Sequence, residues 1–352
     1  MQEIGIGVVG LGRLGYAHAK NARGISGARL VAVCDMQQEL ADETAGELGC
    51  KSYTDVRAML EDKEIDAVCV ATPTAYHVDP VTAVAEAGKP MFCEKPLAST
   101  LEDSLKLRDI VKAAGVKCQL GFQRRFDPAH AAAEAAIREG KIGRPVYINA
   151  YARDPFPPPP WAMDPSKGGG LYIDFLLHDF DMARHLLKDE VESVYADETN
   201  LVVDGQGIER FADNAIVTLR FKGGALATYH CGMHAEYGYD IRTEVHGAKG
   251  NLIIGGLNKV DMTICTLNGG ISKPITYQKD DKLPHFVVRF MDAYRLELEA
   301  FVRSVLDDTP PSVTVDDSIR AFAVAMAAGQ SAGRHQPVQM ADYEARIASG
   351  GS

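Results

Sequence analysis

The stretch 4–15 reads IGIGVVGLGRLG, an apolar run that passes directly into Gly10, Gly12 and Gly15. Few patterns restrict a chain as tightly. The run predicts a buried strand, and the glycines predict a tight turn into a helix. Gly10 lets the chain turn, Gly12 leaves room where a side chain would block a pyrophosphate, and Gly15 lets the helix sit close to the sheet. The helix N-terminus then offers unpaired N–H groups and a partial positive charge to an anion. A second apolar run, 29–34, ends at Asp35, twenty positions past Gly15. There a carboxylate can accept hydrogen bonds from ribose hydroxyls, and it repels a 2′-phosphate. Loop and carboxylate together point to a bound dinucleotide. NAD is favoured over NADP, because Met36, Gln37 and Gln38 bring no arginine to the extra phosphate. An N-cap role for Asp35 is compatible with this one.

Through about residue 120 the pattern alternates. Strands are expected at 4–9, 29–34, 66–71, 89–93 and 116–120, and helices at 13–24, 37–48, 54–61, 77–87 and 100–114. Such alternation builds a parallel sheet covered by helices, and continuous apolar strands such as 67–71 fit a sheet buried on both faces. After a helix at 128–139 the strands become longer and alternate polar with apolar, at 144–153, 192–203, 213–222, 225–234, 240–247, 250–254 and 260–266. Gly223 and Gly224 form a hairpin turn, and breaks are expected at Gly247–Gly250 and Asn268–Gly270. Helices at 285–307 and 316–332 finish the chain. The fold class is therefore α/β, an N-terminal Rossmann parallel sheet followed by a C-terminal α+β domain with an open, mostly antiparallel sheet. The boundary is expected between residues 121 and 122.

At 352 residues the chain is long enough for two ordinary domains. A net charge of −11 argues against a nucleic-acid surface. No apolar run approaches membrane-spanning length, and the start lacks the basic lead and cleavage site of a signal peptide. The chain is thus expected in the cytoplasm, without a membrane partner. Its 7 cysteines include no C-x-x-C pair, which suits small buried residues in a reducing compartment and gives no support to a zinc–thiolate site. The segment from Asp154 to Trp161 contains four consecutive prolines at 157–160 and is expected as a stiff extended loop holding the single tryptophan near the cleft.

Candidate chemistry gathers at the carboxyl ends of the parallel strands, where ligands of such sheets bind. Arg13 and Leu14 lie in the glycine turn. Thr72, Pro73, Thr74 and His77 follow one strand; the threonines are expected to line the cofactor, and His77 to cap the next helix. Another strand ends at Cys93, Glu94, Lys95 and Pro96. The Lys95 ammonium can reach a substrate oxygen, stabilise a developing alkoxide and lower the hydroxyl pKa. Candidate cofactor contacts are therefore Gly10, Gly12, Arg13, Leu14, Gly15, Asp35, Met36, Thr72, Pro73, Thr74, His77, Glu94 and Lys95.

In the second half Asp174, His178, Asp181 and His185 are spaced four, three and four, which puts them on one helical face of an otherwise apolar segment containing Phe175, Leu176, Phe180, Ala183 and Leu187. Three readings are open. The stripe is a hydrated face; or His178, Asp181 and His185 ligate zinc; or Asp174 orients His178, which acts as general base toward a hydroxyl while hydride leaves the same carbon. Arg124 and Arg125 open the second half and either bind an anion or are neutralised by Asp127 and Glu94. Gln123 and Arg124 are candidate cleft residues, with Arg153 and Tyr237 as further substrate contacts.

The ordered set Gly10, Gly12, Gly15, Asp35, Thr72-Pro73, Glu94-Lys95-Pro96, Arg125-Phe126-Asp127 and Gly170 to Asp174 to His178 resembles the glucose-fructose oxidoreductase / inositol dehydrogenase (Gfo/Idh/MocA) family over nearly the whole chain. The resemblance implies a Rossmann domain, an open-sheet domain whose exposed face forms oligomer contacts, commonly a homotetramer, and a catalytic lysine, aspartate and histidine at Lys95, Asp174 and His178. No metal is implied. Residues 124–127 and 237–241 look most like the inositol 2-dehydrogenase branch, whose members oxidise myo- or scyllo-inositol with NAD. Two positions depart from the pattern: Gln123 stands where methionine is frequent, and the proline-rich 155–160 loop is not a general feature. Other functions compatible with the sequence are turnover of another sugar, an NAD-responsive regulator without turnover, and a zinc-dependent hydrolase.

Overall fold

The computed structural model describes residues 3–155, 169–202, 211–235, 238–257, 259–266, 269–273 and 285–350. The proline-rich segment beyond Pro155, Trp161 and Tyr237 lie outside them. In chain order the elements are β1 (Ile4–Val9), α1 (Arg13–Gly24), β2 (Ala28–Cys34), α2 (Gln38–Leu48), β3 (Lys51–Tyr53), α3 (Val56–Leu60), β4 (Ala67–Val70), α4 (Val78–Glu86), β5 (Met91–Glu94), α5 (Leu101–Ala114), β6 (Cys118–Gly121), α6 (Pro128–Arg138) and β7 (Pro145–Arg153). They continue with α7 (Leu177–Leu187), β8 (Val191–Thr199), β9 (Asn214–Phe221), β10 (Leu226–Gly232), β11 (Asp240–Gly247), β12 (Gly250–Leu257), β13 (Lys259–Thr266), β14 (Gly269–Lys273), α8 (His285–Arg289), α9 (Met291–Leu306), α10 (Val315–Arg334), β15 (Val338–Gln339) and α11 (Ala341–Ser349).

The chain divides into two units, one of Met1–Gln123, Met291–Ile319 and Ser349–Ser352, the other of Arg124–Phe290 and Arg320–Ala348. The first holds a six-stranded sheet of order β3-β2-β1-β4-β5-β6, all parallel. That is the doubly wound Rossmann order, with the reversal beside β1. Strands β1, β4 and β5 are buried along their whole length, as expected of a sheet covered on both faces. Helix α9 completes this core: Leu298, Phe301 and Val302 join Ile6, Val8, Ala67 and Phe92 in one apolar cluster. Each of the three is fully buried, which stabilises the fold by about 1.5–3 kcal/mol per side chain.

The second unit is built on a nine-stranded sheet of order β14-β13-β12-β11-β7-β10-β9-β8-β15. Its pairings are antiparallel except that of β7 with β10. Period-two alternation sorts its side chains. Ile148, Ala150, Ala152, Tyr229 and Cys231 are buried, while Tyr147, Asn149, Tyr151, Thr228 and His230 share the more open face. Helix α7 lies on the buried side, where the Phe180 ring meets Tyr229 edge-on at 5.4 Å.

Some boundaries differ from expectation. The single helix foreseen over 285–307 is interrupted at Phe290 and forms α8 and α9, and α11 near the C-terminus was unforeseen. The short β3 and β15 are three and two residues long, too short to carry a periodicity of their own. Gly269 and Gly270 do not break the sheet but pair with Thr266 and Cys265 at the start of β14.

Candidate functional site

Strands β1, β4 and β5 are adjacent and parallel, so their carboxyl ends share one edge of the first unit. The glycine turn leaves β1 at Gly10, whose φ of +87° suits glycine and whose added Cβ would lie 2.6 Å from the Thr72 nitrogen. A Cβ on Gly15 would stand 1.7 Å from the Gly10 carbonyl oxygen, so α1 can pack here only without a side chain. Gly12 is the opposite case. A Cβ there meets nothing within 4 Å. That open space adjoins the first turn of α1, which has neither a side-chain cap nor an acidic residue, a helix N-terminus whose dipole suits an anion. Arg13 is exposed and Leu14 half-buried beside it.

The Asp35 carboxylate is held at this turn: Oδ2 accepts from the Leu11 N–H at 2.8 Å and Oδ1 from the Gln37 N–H at 3.0 Å. Each oxygen retains a lone pair for a ribose hydroxyl. The N-cap of α2 is Gln37, with no side-chain cap bond, so the capping role considered for Asp35 is not the one it takes. Met36 next to it is 84% exposed. A void for a pyrophosphate before a helix N-terminus and a fixed carboxylate for the ribose are the donor and acceptor set that a dinucleotide needs. The chain fits NAD at this edge.

On β4 and β5 the outward and inward parts of the motifs separate. The Thr72 hydroxyl donates to the Tyr76 carbonyl at 3.3 Å, and Pro73 and Thr74 lead into a 3-10 turn, Thr74–Tyr76. His77 stands at the N-cap of α4, yet its side chain makes no cap bond. The reason is geometric: the ring is buried, with Nε2 2.8 Å from the Thr72 carbonyl and Nδ1 2.9 Å from the Pro96 carbonyl. Glu94, foreseen at the cofactor, turns inward instead. It is 5% exposed, with Oε1 2.7 Å from His18 Nε2, while Oε2 accepts from the Lys95 N–H at 3.2 Å. Lys95 itself is half-buried at the end of the strand.

Behind Glu94 lies a cluster that sequence reasoning missed. Ligating atoms of His18, Glu94 and Glu297 all fall within 4.8 Å of one another, the only such group with metal-ligand potential among the described residues. Its 2.7 Å His18–Glu94 separation is a hydrogen bond, shorter than the roughly 3.3 Å ligand–ligand edge that metal bonds of ~2.0–2.2 Å impose in a tetrahedral site. Burial, reinforced by Glu94, raises the Glu297 carboxyl well above the usual glutamate range. The signal was faint: His18 sits on the inner face of α1 with Gly15, Ala19 and Ala22, a polar residue in an apolar stripe.

In the second unit the foreseen arginines are spent on structure. Arg124 pairs with Asp179 at 2.7 Å, both almost fully buried, and Arg125 Nε donates to Asp181 at 2.8 Å. The partners foreseen for them, Asp127 and Glu94, are engaged elsewhere. Asp127 accepts from Arg289 at 2.9 Å and lies 2.7 Å from His130 Nδ1; despite its burial these partners hold its carboxyl well below the usual range. Gln123, in the first unit, is buried and donates to the Tyr294 hydroxyl at 3.1 Å. Neither Gln123 nor Arg124 is thus presented to solvent for a ligand.

The continuous helical face expected for Asp174, His178, Asp181 and His185 is also corrected. Asp174 belongs to a π-helical turn, Leu171–Phe175, closed by the Leu176 N–H on the Leu171 carbonyl at 3.0 Å. Helix α7 starts only at Leu177, so the four-three-four arithmetic does not run through the junction. Asp174 is exposed and His178 half-buried at the start of α7. Asp181 is turned to Arg125, which takes it out of a zinc ligand set with His178 and His185. Arg153 is separated from these residues by strand parity. Its guanidinium stacks over the Tyr151 ring at 4.8 Å and hydrogen-bonds His230, on the sheet face opposite α7.

Known proteins resemble this chain over nearly its whole length. Residues 4–122 match the family model described as an oxidoreductase family with an NAD-binding Rossmann fold, and residues 130–253 match the GFO/IDH/MocA C-terminal domain. The chain is 39% identical over 342 residues to scyllo-inositol 2-dehydrogenase (NAD(+)) of Bacillus subtilis, covering 96% of each chain. It is 36% identical over 337 residues to myo-inositol 2-dehydrogenase of Thermotoga maritima, covering 95% of this chain and 98% of that one. Among solved structures, scyllo-inositol dehydrogenase of Lactobacillus casei with bound NAD(H) and scyllo-inositol superposes with a TM-score of 0.83 at 30% identity, covering 97% of this chain and 100% of the other.

Proposed function

We propose that this chain, which belongs to the GFO/IDH/MocA family of NAD-binding oxidoreductases, oxidises one secondary alcohol of an inositol to the ketone. The observation that carries the reading is the placement of Lys95 at the end of β5, on the sheet edge where the Gly12 void and Asp35 fit NAD. Near-full-length likeness to inositol 2-dehydrogenases supports the choice of substrate.

In this reading Gly10, Gly12, Arg13, Leu14 and Gly15 cradle the pyrophosphate, Asp35 takes the adenosine ribose, and Thr72 to Thr74 line the centre of the site. NAD, when bound, supplies the hydride acceptor. Lys95 directs its ammonium at the carbinol oxygen and stabilises the charge that develops there. His178 accepts the hydroxyl proton, and Asp174 orients the imidazole. The substrate thus loses one hydride and one proton, and its C–O single bond becomes a carbonyl. In the reverse direction His178 returns the proton.

A homotetramer in the cytoplasm belongs to the same reading. Tyr195, Ile216 and Leu226 expose apolar surface at 40%, 61% and 39% on the open sheet face, which suits contact between copies. Cys34, Cys50, Cys69, Cys93, Cys118 and Cys231 are free thiols, and among the described residues no helix is long and apolar enough to cross a membrane.

The test is formation of NADH from NAD, or of NADPH from NADP, by the purified protein with myo-inositol, scyllo-inositol and a panel of aldoses. Turnover with an inositol and NAD is the expected result. Turnover confined to aldoses would move the substrate, and tight NAD binding without turnover of any polyol would replace the enzyme with an NAD-responsive binding protein.

A further inference from the structure

His77 lies directly beneath the ligand edge of the first unit, and the proposed reaction makes no use of it. Its ring is 1% exposed, and its two nitrogens lie 2.8 and 2.9 Å from the carbonyl oxygens of Thr72 and Pro96. These carbonyls belong to two different turns, one leaving β4 and the other leaving β5, strands that pair side by side. A carbonyl oxygen only accepts, so each bond requires an N–H on the ring.

We propose that His77 is a positioning residue whose ring ties the Thr72–Pro73 turn to the Lys95–Pro96 turn, fixing the spacing between the segment that lines the cofactor and the segment that bears Lys95. The tie itself stands on the two hydrogen bonds; its consequence for catalysis rests on the role given above to Lys95.

The tie depends on protonation. Imidazolium carries two N–H groups and serves both carbonyls; neutral imidazole serves one and turns a lone pair toward the other. From β5 the ring faces the Cys93 thiol, 3.7 Å from Nδ1, and the field of the Glu94 carboxylate; the backbone of Leu97 also faces it. Burial pushes His77 below the ordinary histidine range, and the carbonyls, Glu94 and Leu97 oppose this without overcoming it. The doubly tied form therefore belongs to acidic pH, and one of the two bonds loosens as pH rises through the range where the ring titrates.

Hydrogen exchange of the cofactor-free protein, read by mass spectrometry, tests the tie in wild type, His77→Gln and His77→Ala, with NAD calorimetry alongside. In His77→Ala the peptides covering residues 72–77 and 95–98 are expected to exchange about tenfold faster while β1 and β2 keep their protection, and the NAD Kd is expected to rise about fivefold. Glutamine carries its N–H donors on a single nitrogen, with an acceptor oxygen on the other side, and should restore one turn but not both. In wild type, protection corrected for intrinsic exchange should fall as pH rises through the acid range below histidine's ordinary value of 6.5, whereas in His77→Gln it should stay level. The proposal is overturned if both turns keep their protection in His77→Ala, if they loosen only together with the whole first unit, or if wild-type protection ignores pH. A wild type that turns over no polyol would remove the assigned reaction and leave the exchange result to decide the tie.

Discussion

Glu297 is fully buried and brings a carboxylate oxygen within 4.8 Å of one on Glu94. Two acidic groups facing each other in a dry core favour the protonated form of one of them, and it is Glu297 whose proton is held well above the usual range. A carboxyl bound more tightly to its proton in the folded chain gives stability that is full below its ordinary value near 4.5 and is lost as pH climbs toward the folded value. Glu297→Gln removes the titration. The variant should gain stability relative to wild type with every step from about pH 5 to about pH 8, read as urea midpoints; a difference that does not change with pH would show that Glu297 does not titrate in the fold.

Lys95→Ala should reduce turnover by about a hundredfold or more while NAD affinity stays within about threefold of wild type, because the side chain acts on the substrate oxygen and the cofactor is held by the glycine turn and Asp35. Steady-state NADH formation and calorimetry separate the two. Near-normal turnover would remove the lysine from the mechanism.

Gly12→Ala and Gly15→Ala are expected to fail differently. At Gly12 the added methyl enters open space, so thermal stability should hold while NAD affinity falls about tenfold or more, the methyl occupying the place of the pyrophosphate. At Gly15 it would run into the Gly10 carbonyl, so stability itself should fall by about 1–3 kcal/mol or more. Equal melting losses in both variants would contradict the assignment of the void.

Arg124→Ala should cost about 3–5 kcal/mol of stability, because it strands the buried Asp179 without its 2.7 Å partner. Burial already raises the Asp179 carboxyl, with Arg124 as the main opposing influence, and removal of the guanidinium raises it further. The folded fraction should keep a KM for polyol within about twofold of wild type. A large rise in KM without loss of stability would return Arg124 to the substrate cleft.

The Rossmann half was legible because its signals are local: an apolar run, a glycine turn and a carboxylate at a fixed interval. Lys95 could be placed at the ligand edge for the same reason, since the end of a continuous apolar strand in a parallel sheet defines that edge. The His18–Glu94–Glu297 cluster draws on α1, β5 and α9, and no sequence interval links the three. Structural neutralisation of the arginines is one of the two readings the sequence allows, but with Asp127 and Glu94 as the expected partners, whereas Asp179 and Asp181 on α7 are the groups that folding brings to them. Arg153 was misjudged for want of strand phase. Its parity with Tyr151 decides which face it occupies, and a shift of one residue would have reversed the answer.

The place of α9 in the first unit has a consequence for synthesis. Leu298, Phe301 and Val302 emerge from the ribosome only after residue 290, long after β1 to β6 are complete, so a nascent chain carries the first sheet with a greasy flank uncovered until its last quarter is made. Excising residues 1–123 as a portable nucleotide module would make that wait permanent and invite aggregation. A graft that works has to bring 291–319 along on a linker, because here the border of a folding unit is drawn by packing and not by the order of translation.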